Sequence, residues 1–421
     1  MKVTGFYKTL RFLNKCKKSI LHSCAIFLVQ HKTRNAHSLE VFYMKKRVLA
    51  AAAGLSLCTS VFAQSITLTN TFGGNNDSID APTGGSDFIT FTQHDEKDDS
   101  NYGNTVTTVS DRLQLDFSTA NLDGRIRTEF STSTLNGKKA DVRFRGWLRY
   151  RPVEQIGFVA GNDFFTKYTV AASYFAASDD YASYGKMAEN GIAVVGDIAG
   201  LRLAANISGD SLYDDNEEFK LNFGAQYRIK DVASFGATLK SVTNGNFSTG
   251  IFAALESVEN LTLNAGFVYN STETSFLPAA SKYVLRASAG YKIKDAKLGL
   301  FADFATGLNN EYIAAEKDAD KNITGYETLE YKKDGDDYVP LQVRGRVSFD
   351  ATDTLSLNAF VKVNTLVGAD ESETEVYPYV NIKLPKFGTL NAGLRMKFND
   401  NDGLAEFSIP LAWKYKLIDK K

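Results

Sequence analysis

The chain has 421 residues, 43% of them apolar and 12% aromatic, with 48 Lys+Arg against 49 Asp+Glu. No run approaches the roughly 20 apolar residues that cross a bilayer as a helix, and the composition is neither that of a disulfide-stapled miniprotein nor that of a disordered tail. Without residues 1–63 the chain keeps 37 bases and 48 acids, a net charge near −11, which excludes a nucleic-acid partner because that requires a basic excess.

Residues 1–43 resemble neither a signal nor a domain. They are expected to be an upstream extension outside the native product, with an extended signal region as the alternative. From Met44 the chain reads MKKRVLAAAAGLSLCTSVFAQS. The cationic start, the apolar stretch from Val48 to Leu57 and Val61-Phe62-Ala63 before Gln64 predict a secretory signal over residues 44–63, cleaved after Ala63. Cys16, Cys24 and Cys58 all precede the cut, so the mature chain lacks thiols for a disulfide, a metal site or a nucleophile. Leu55-Ser56-Leu57-Cys58 also admits a lipoprotein reading, against which stands the bulk of Leu57 before the cysteine.

His22, His31 and His37 go with the leader. That leaves His94, set among Gln93, Asp95, Glu96, Asp98 and Asp99 as a solvated loop residue. Acid–base and nucleophilic chemistry lose their usual imidazole, so neither an enzyme nor a cofactor or metal site is expected. The Gly-Gly pairs at 73–74 and 84–85 read as loop hinges. Asp400-Asn401-Asp402-Gly403 supplies turn chemistry, because the distal ligands of a calcium loop are missing.

From Ser65 onward the period is two. Leu113, Leu115 and Phe117 alternate with Arg112, Gln114 and Asp116. Val142, Phe144, Gly146, Leu148 and Tyr150 alternate with Arg143, Arg145, Trp147, Arg149 and Arg151, and Phe407, Ile409, Leu411, Trp413, Tyr415 and Leu417 close the series. Such alternation specifies strands with one greasy and one wet face. About eighteen segments follow this rule, with sixteen as the alternative. They begin near Ser65, Thr105, Leu122, Ala140, Ile156, Gly191, Leu201, Phe219, Ser234, Ser248, Leu261, Lys282, Ala296, Tyr338, Thr354, Thr374, Thr389 and Ala405. Short turns such as Ala120-Asn121 and Lys230-Asp231-Val232 interleave with longer loops near 73–104, 132–139, 162–190, 209–218, 271–281, 307–337, 364–373 and 399–404.

A soluble sandwich also alternates, but it needs neither export nor this rhythm over some 350 residues. A sheet in lipid must close, apolar outside and polar inside. The predicted fold is therefore all-β, a transmembrane antiparallel up-and-down β-barrel over residues 64–421 with both ends in the periplasm. Tyr150, Tyr227, Tyr291 and Tyr415 fall outward near the periplasmic end, where amphipathic rings suit the interface.

In its signal, its strand rhythm and its closing strand FSIPLAWKYKL, the chain resembles a Gram-negative outer-membrane porin. The terminal Phe of such proteins is absent, since Ile418, Asp419, Lys420 and Lys421 follow Leu417. The resemblance implies an outer-membrane location, with membrane lipid, the barrel-assembly machinery and small hydrophilic solutes as partners, and it admits a homotrimer.

Predicted inward positions are rich in bases, namely Arg112, Arg125, Arg127, Arg143, Arg145, Arg149, Arg151, Arg344, Arg346 and Arg395, while acids collect in the loops. Turn positions suggest a row Arg112–Arg127–Arg145 across three strands, with Glu129 opposite Arg143 and Asp123 opposite Arg149. Like charges side by side are unfavourable in a sheet but suit a wet pore that passes anions. The alternative is that Glu129, Asp123, Asp116 and inward-folded loop acids neutralise the row for rigidity. The 162–190 loop, the third long one, carries Phe164, Phe165, Tyr168, Tyr174 and Tyr181 and is expected to fold inward as a constriction, or else to cover the outer mouth or form a subunit contact. The leading expectation is passive diffusion of small hydrophilic, notably anionic, solutes. A sugar-selective channel using Trp147, Tyr377 and Tyr379 as stacking faces, and a structural or adhesive barrel acting through its loops, are the alternatives.

Overall fold

Alternating side chains from Ser65 onward fold as antiparallel strands in a computed structural model. It describes residues 65–73, 87–92, 105–133, 140–162, 191–208, 220–244, 247–255, 257–271, 280–319, 323–333, 335–369, 372–400 and 403–420. The chain divides into units 1–61 and 62–421. The extension and nearly all of the expected signal make up the first and lie outside the described residues. Phe164, Phe165, Tyr168, Tyr174 and Tyr181 of the expected constriction belong to the second and also lie outside the described residues.

The barrel strands are β1 (Ser65–Gly73, continued by Asp87–Thr92), β2 (Thr105–Ser118), β3 (Leu122–Ser133), β4 (Ala140–Val153), β5 (Ile156–Gly161), β6 (Gly191–Ile198), β7 (Leu201–Ser208), β8 (Lys220–Ile229) and β9 (Ala233–Lys240). They continue with β10 (Ser248–Leu255), β11 (Leu261–Asn270), β12 (Tyr283–Ile293), β13 (Leu298–Gly307), β14 (Val339–Asp350), β15 (Leu355–Val367), β16 (Ser372–Leu384), β17 (Gly388–Gly393 and Arg395–Asn399) and β18 (Gly403–Lys420). Two strands are interrupted, so twenty segments make eighteen staves. Each pairs antiparallel with its neighbours, and β18 closes on β1, with Thr71 opposite Lys414 and Thr90 opposite Ser408. Closure removes the edge whose bare amides lipid would leave unpaired.

Two segments depart from the expected loops. Residues 87–92, within the predicted 73–104 connection, resume the first stave by pairing with both β18 and β2. The 307–337 connection holds a hairpin, Glu311–Lys317 against Ile323–Glu330, and a shorter one, Lys332–Lys333 against Asp336–Asp337. The larger hairpin continues the wall above β12 through a Ser281–Tyr312 bridge. Tyr312 and Tyr331 stack there at 4.3 Å between centroids, and burial pushes the Tyr331 hydroxyl well above the ordinary phenol range.

The molecule is inside-out by the standards of a soluble domain. Arg286, Arg344, Gln342 and Glu129 are among its largest fully buried side chains, whereas Ile192 is 63% exposed, Ile251 59%, and Phe144 and Phe235 50% each. Tyr150, Tyr227 and Tyr291 also stand exposed on the outer face near the short-turn end.

Candidate functional site

The lumen wall is organised by carboxylates that several cations share. Glu129 on β3 is fully buried. Its carboxylate lies 2.9 Å from Arg112 on β2, 3.6 Å from Arg127 on its own strand and 3.6 Å from Arg145 on β4. Arg127 also donates from Nε and Nη2 to Gln114 Oε1 at 3.1 and 3.0 Å. Gln114 donates to Asp116 at 2.6 Å, and Asp116 accepts from Arg125 Nε at 2.7 Å. Toward the short-turn end, Asp123 accepts from Arg149 Nε at 3.1 Å to each oxygen and lies 3.7 Å from Arg151.

This arrangement corrects the expected Arg112–Arg127 pairing. Arg112 stands opposite Glu129, and Arg127 opposite Gln114. The cause is the two-residue turn Ala120–Asn121, closed by Thr119 N donating to Leu122 O at 2.7 Å, which sets the register one two-residue step away. Across the next interface the expectation holds, with Arg127 opposite Arg145, Glu129 opposite Arg143 and Asp123 opposite Arg149. The consequence is chemical: the three guanidiniums gather around a carboxylate instead of forming a bare row.

A second group lines β13 to β17. Arg344 donates from Nε to Asp303 at 2.8 Å and its Nη2 reaches the other oxygen, a buried fork between facing residues of the kind guanidinium and carboxylate favour. Glu375 is shared by Lys362 at 3.3 Å and Arg395 at 3.1 Å. Arg395 also lies over the Tyr377 ring, 5.1 Å from its centroid, and Tyr377 stacks on Tyr379 at 4.7 Å. Gly393 makes this packing feasible, since a Cβ there would fall 2.6 Å from both tyrosines. Arg346 hydrogen-bonds Tyr379 and lies 5.7 Å from the Phe301 ring centroid.

Tyr377 and Tyr379 thus face inward as expected, but they are buried with Phe360 at 0%, 5% and 4% exposure. Their faces serve packing within the wall rather than an open stacking surface. Trp147 faces Arg125 and Gly161 on the same inward side and is only partly buried.

The wall from β7 to β12 carries amides and hydroxyls. Asn222 donates to Asn206 Oδ1 at 2.7 Å and to Ser208 Oγ at 3.0 Å, and Asn264 donates to Ser288 Oγ at 2.8 Å. Alternation marks these residues as inward and the neutralising alternative names Glu129, which does contact Arg112, Arg127 and Arg145, but nothing in the sequence singles out Asp303 and Glu375 as partners of the cations on β14, β15 and β17. That depends on cross-strand register.

No family model matches the chain, and no curated protein matches it. Solved structures do match in fold. OpdK of Pseudomonas aeruginosa, determined with vanillate, aligns over 84% of this chain and 100% of its own, with a TM-score of 0.52 and 9% identity. OccK2 (OpdF) of the same organism, in complex with glucuronate, aligns over 85% and 100%, with a TM-score of 0.53 and 13% identity. A BenF-like porin from Pseudomonas fluorescens Pf-5 covers 84% and 98%, at a TM-score of 0.53 and 13% identity. At such identities the likeness is one of fold, and the chain is a closed eighteen-stranded β-barrel with the architecture of these outer-membrane porins.

Proposed function

We propose that the barrel is an outer-membrane channel for passive diffusion of small hydrophilic solutes, with a preference for anions. One observation carries the reading: among the described residues, Arg112, Arg127, Arg145, Arg149, Arg151, Lys362 and Arg395 share the three carboxylates of Glu129, Asp123 and Glu375. Seven cations on three carboxylates give this part of the described wall an excess of bases over acids. At 4 Å one uncompensated unit charge attracts a monoanion by about 1 kcal/mol even in water-like surroundings, roughly a fivefold enrichment. Within a Debye length of about 8–10 Å, salt does not erase it. The wall from β7 to β12 adds amides and hydroxyls to further bases, among them Arg202 and the buried Arg286. Two of the matched channels were determined with vanillate and glucuronate, both carboxylates, which agrees with this preference.

The test is a reversal potential in planar bilayers under a KCl gradient, using refolded residues 64–421. The wild type should prefer chloride, and the double substitution Arg127→Glu, Arg145→Glu should move the potential toward potassium. A wild type that prefers potassium overturns the anion preference.

A further inference from the structure

Two inward rows run side by side across β13 to β17. In the first, Asp303 faces Arg344, Arg344 faces Lys362, Lys362 faces Glu375 and Glu375 faces Lys397, which in turn faces Glu406 on β18. Its three acids and three bases are joined by the Arg344–Asp303 fork and by contacts of 3.3 Å for Lys362–Glu375 and 3.1 Å for Lys397–Glu406. This row cancels its own charge.

The neighbouring row is built of rings and guanidiniums. Phe301 faces Arg346, Arg346 faces Phe360 and Phe360 faces Tyr377. β17 keeps its register across the break at Leu394, with Gly393 facing Tyr379 and Met396 facing Val376, which sets Arg395 opposite Tyr377. Both arginines rest on aromatic groups: Arg346 lies 5.7 Å from the Phe301 centroid and hydrogen-bonds Tyr379, and Arg395 lies 5.1 Å from the Tyr377 centroid. A planar guanidinium stacks well on a ring, and a neutral ring leaves its charge in place where a carboxylate cancels it. The tyrosines are themselves fixed, buried and stacked on each other, with the Tyr377 hydroxyl donating to Asn391 Oδ1 at 3.4 Å.

We propose that Tyr377 and Tyr379 are positioning residues of the channel: they hold Arg395 and Arg346 in place as charged groups of the wall, so that two neutral side chains set part of the anion preference. The inference rests on the anion-channel reading. Asp303 and Glu375 stand two residues along the same strands from Phe301 and Tyr377. A guanidinium released from its aromatic support turns toward those acids, and its charge is lost to a passing anion.

Reversal potentials of the membrane-extracted protein in planar bilayers under a KCl gradient test this. Tyr379→Phe keeps the ring and deletes only the hydroxyl that Arg346 meets. It should lower the chloride-to-potassium permeability ratio about twofold, less than the roughly fivefold that a whole unit charge at 4 Å supplies. In an Arg346→Gln background the same substitution should have no effect, since coupled residues depart from additivity. Tyr377→Leu should lower the ratio through Arg395, and Tyr377→Phe, which keeps the ring, should restore it. Packing alone predicts that Tyr379→Phe behaves as the wild type, and that result overturns the proposal. So does a Tyr379→Phe effect of equal size with and without Arg346. Should Tyr377→Leu not assemble, the Tyr379 and Arg346 cycle decides alone. A chloride-preferring wild type with silent tyrosine variants keeps the anion reading and removes the positioning role. A potassium-preferring wild type in which the Tyr379→Phe effect still requires Arg346 does the reverse.

Discussion

Glu129 holds the densest charge on the wall, with three guanidiniums within 3.6 Å of a carboxylate that is 1% exposed. Guanidiniums on neighbouring strands repel, and a shared carboxylate offsets that repulsion. Glu129→Gln keeps the shape and removes the charge. It should destabilise the barrel by about 1–3 kcal/mol, the cost of stranding buried charged donors, while moving the KCl reversal potential further toward chloride. Denaturant unfolding in lipid vesicles and the bilayer measurement check the two halves, and a substitution silent in both shows that Glu129 organises nothing. At this scale the sequence was legible for direction and less so for partnership. Alternation assigned Arg112, Arg127 and Arg145 to the lumen, but Arg112 found Glu129 only because the Ala120–Asn121 turn sets that register. Tyr377 and Tyr379 show the same limit: their side of the sheet is readable at period two, their burial against Phe360 is not.

Among the elements, the strands were the most legible part, because a period of two sustained across a bilayer has no helical reading. Each of the eighteen expected starts lies within two residues of an observed one, as at Leu122, Ile156, Leu201 and Leu261. What escaped was strand outside the regular rhythm. Asp87–Thr92 is only six residues long, flanked by Gly-, Asn- and Asp-rich chain that reads as loop. The Glu311–Lys317 and Ile323–Glu330 hairpin alternates too, but in a connection whose length signalled only loop. Its root gives a prediction. Lys282 pairs with Glu311 at 3.2 Å, and the hydrogen bonds from Lys282 and Asn309 hold the Glu311 carboxyl below its ordinary 4.5. A carboxyl depressed in the folded state stabilises fully above its unfolded value and loses that contribution as pH falls through the folded one. The hairpin should therefore stay anchored at neutral pH and loosen below 4.5. Amide exchange or limited proteolysis of residues 308–337 should report this. Lys282→Ala should reproduce the loosening at pH 7, and a pH-independent hairpin in the wild type would show that the pair contributes no anchoring.

For the molecule as a whole, the decisive feature is which solvent meets the outer wall. Ile251 on β10 is 59% exposed and points outward beside Ala237 and Phe267. In a water-soluble protein an arginine at such a site changes stability by no more than about 0.5 kcal/mol. On the lipid face of a barrel the same arginine must enter hydrocarbon, at a cost of about 2–4 kcal/mol near the midplane that falls toward the interfaces. Ile251→Arg therefore separates the two environments by a margin larger than ordinary mutational scatter. Gln226→Arg is the matched control. It faces the lumen on β8, on the same side as Asn222 and opposite to the exposed Phe223 and Tyr227, and an arginine there places its guanidinium in hydrated space at little cost. Reversible urea unfolding from bilayers reads both. The expected result is a loss of roughly 2–4 kcal/mol for Ile251→Arg with Gln226→Arg close to the wild type. Equal effects at the two positions would remove the distinction between a hydrocarbon-facing exterior and a wet bore, and with it the reason that a chain with so many buried arginines and exposed isoleucines folds as it does.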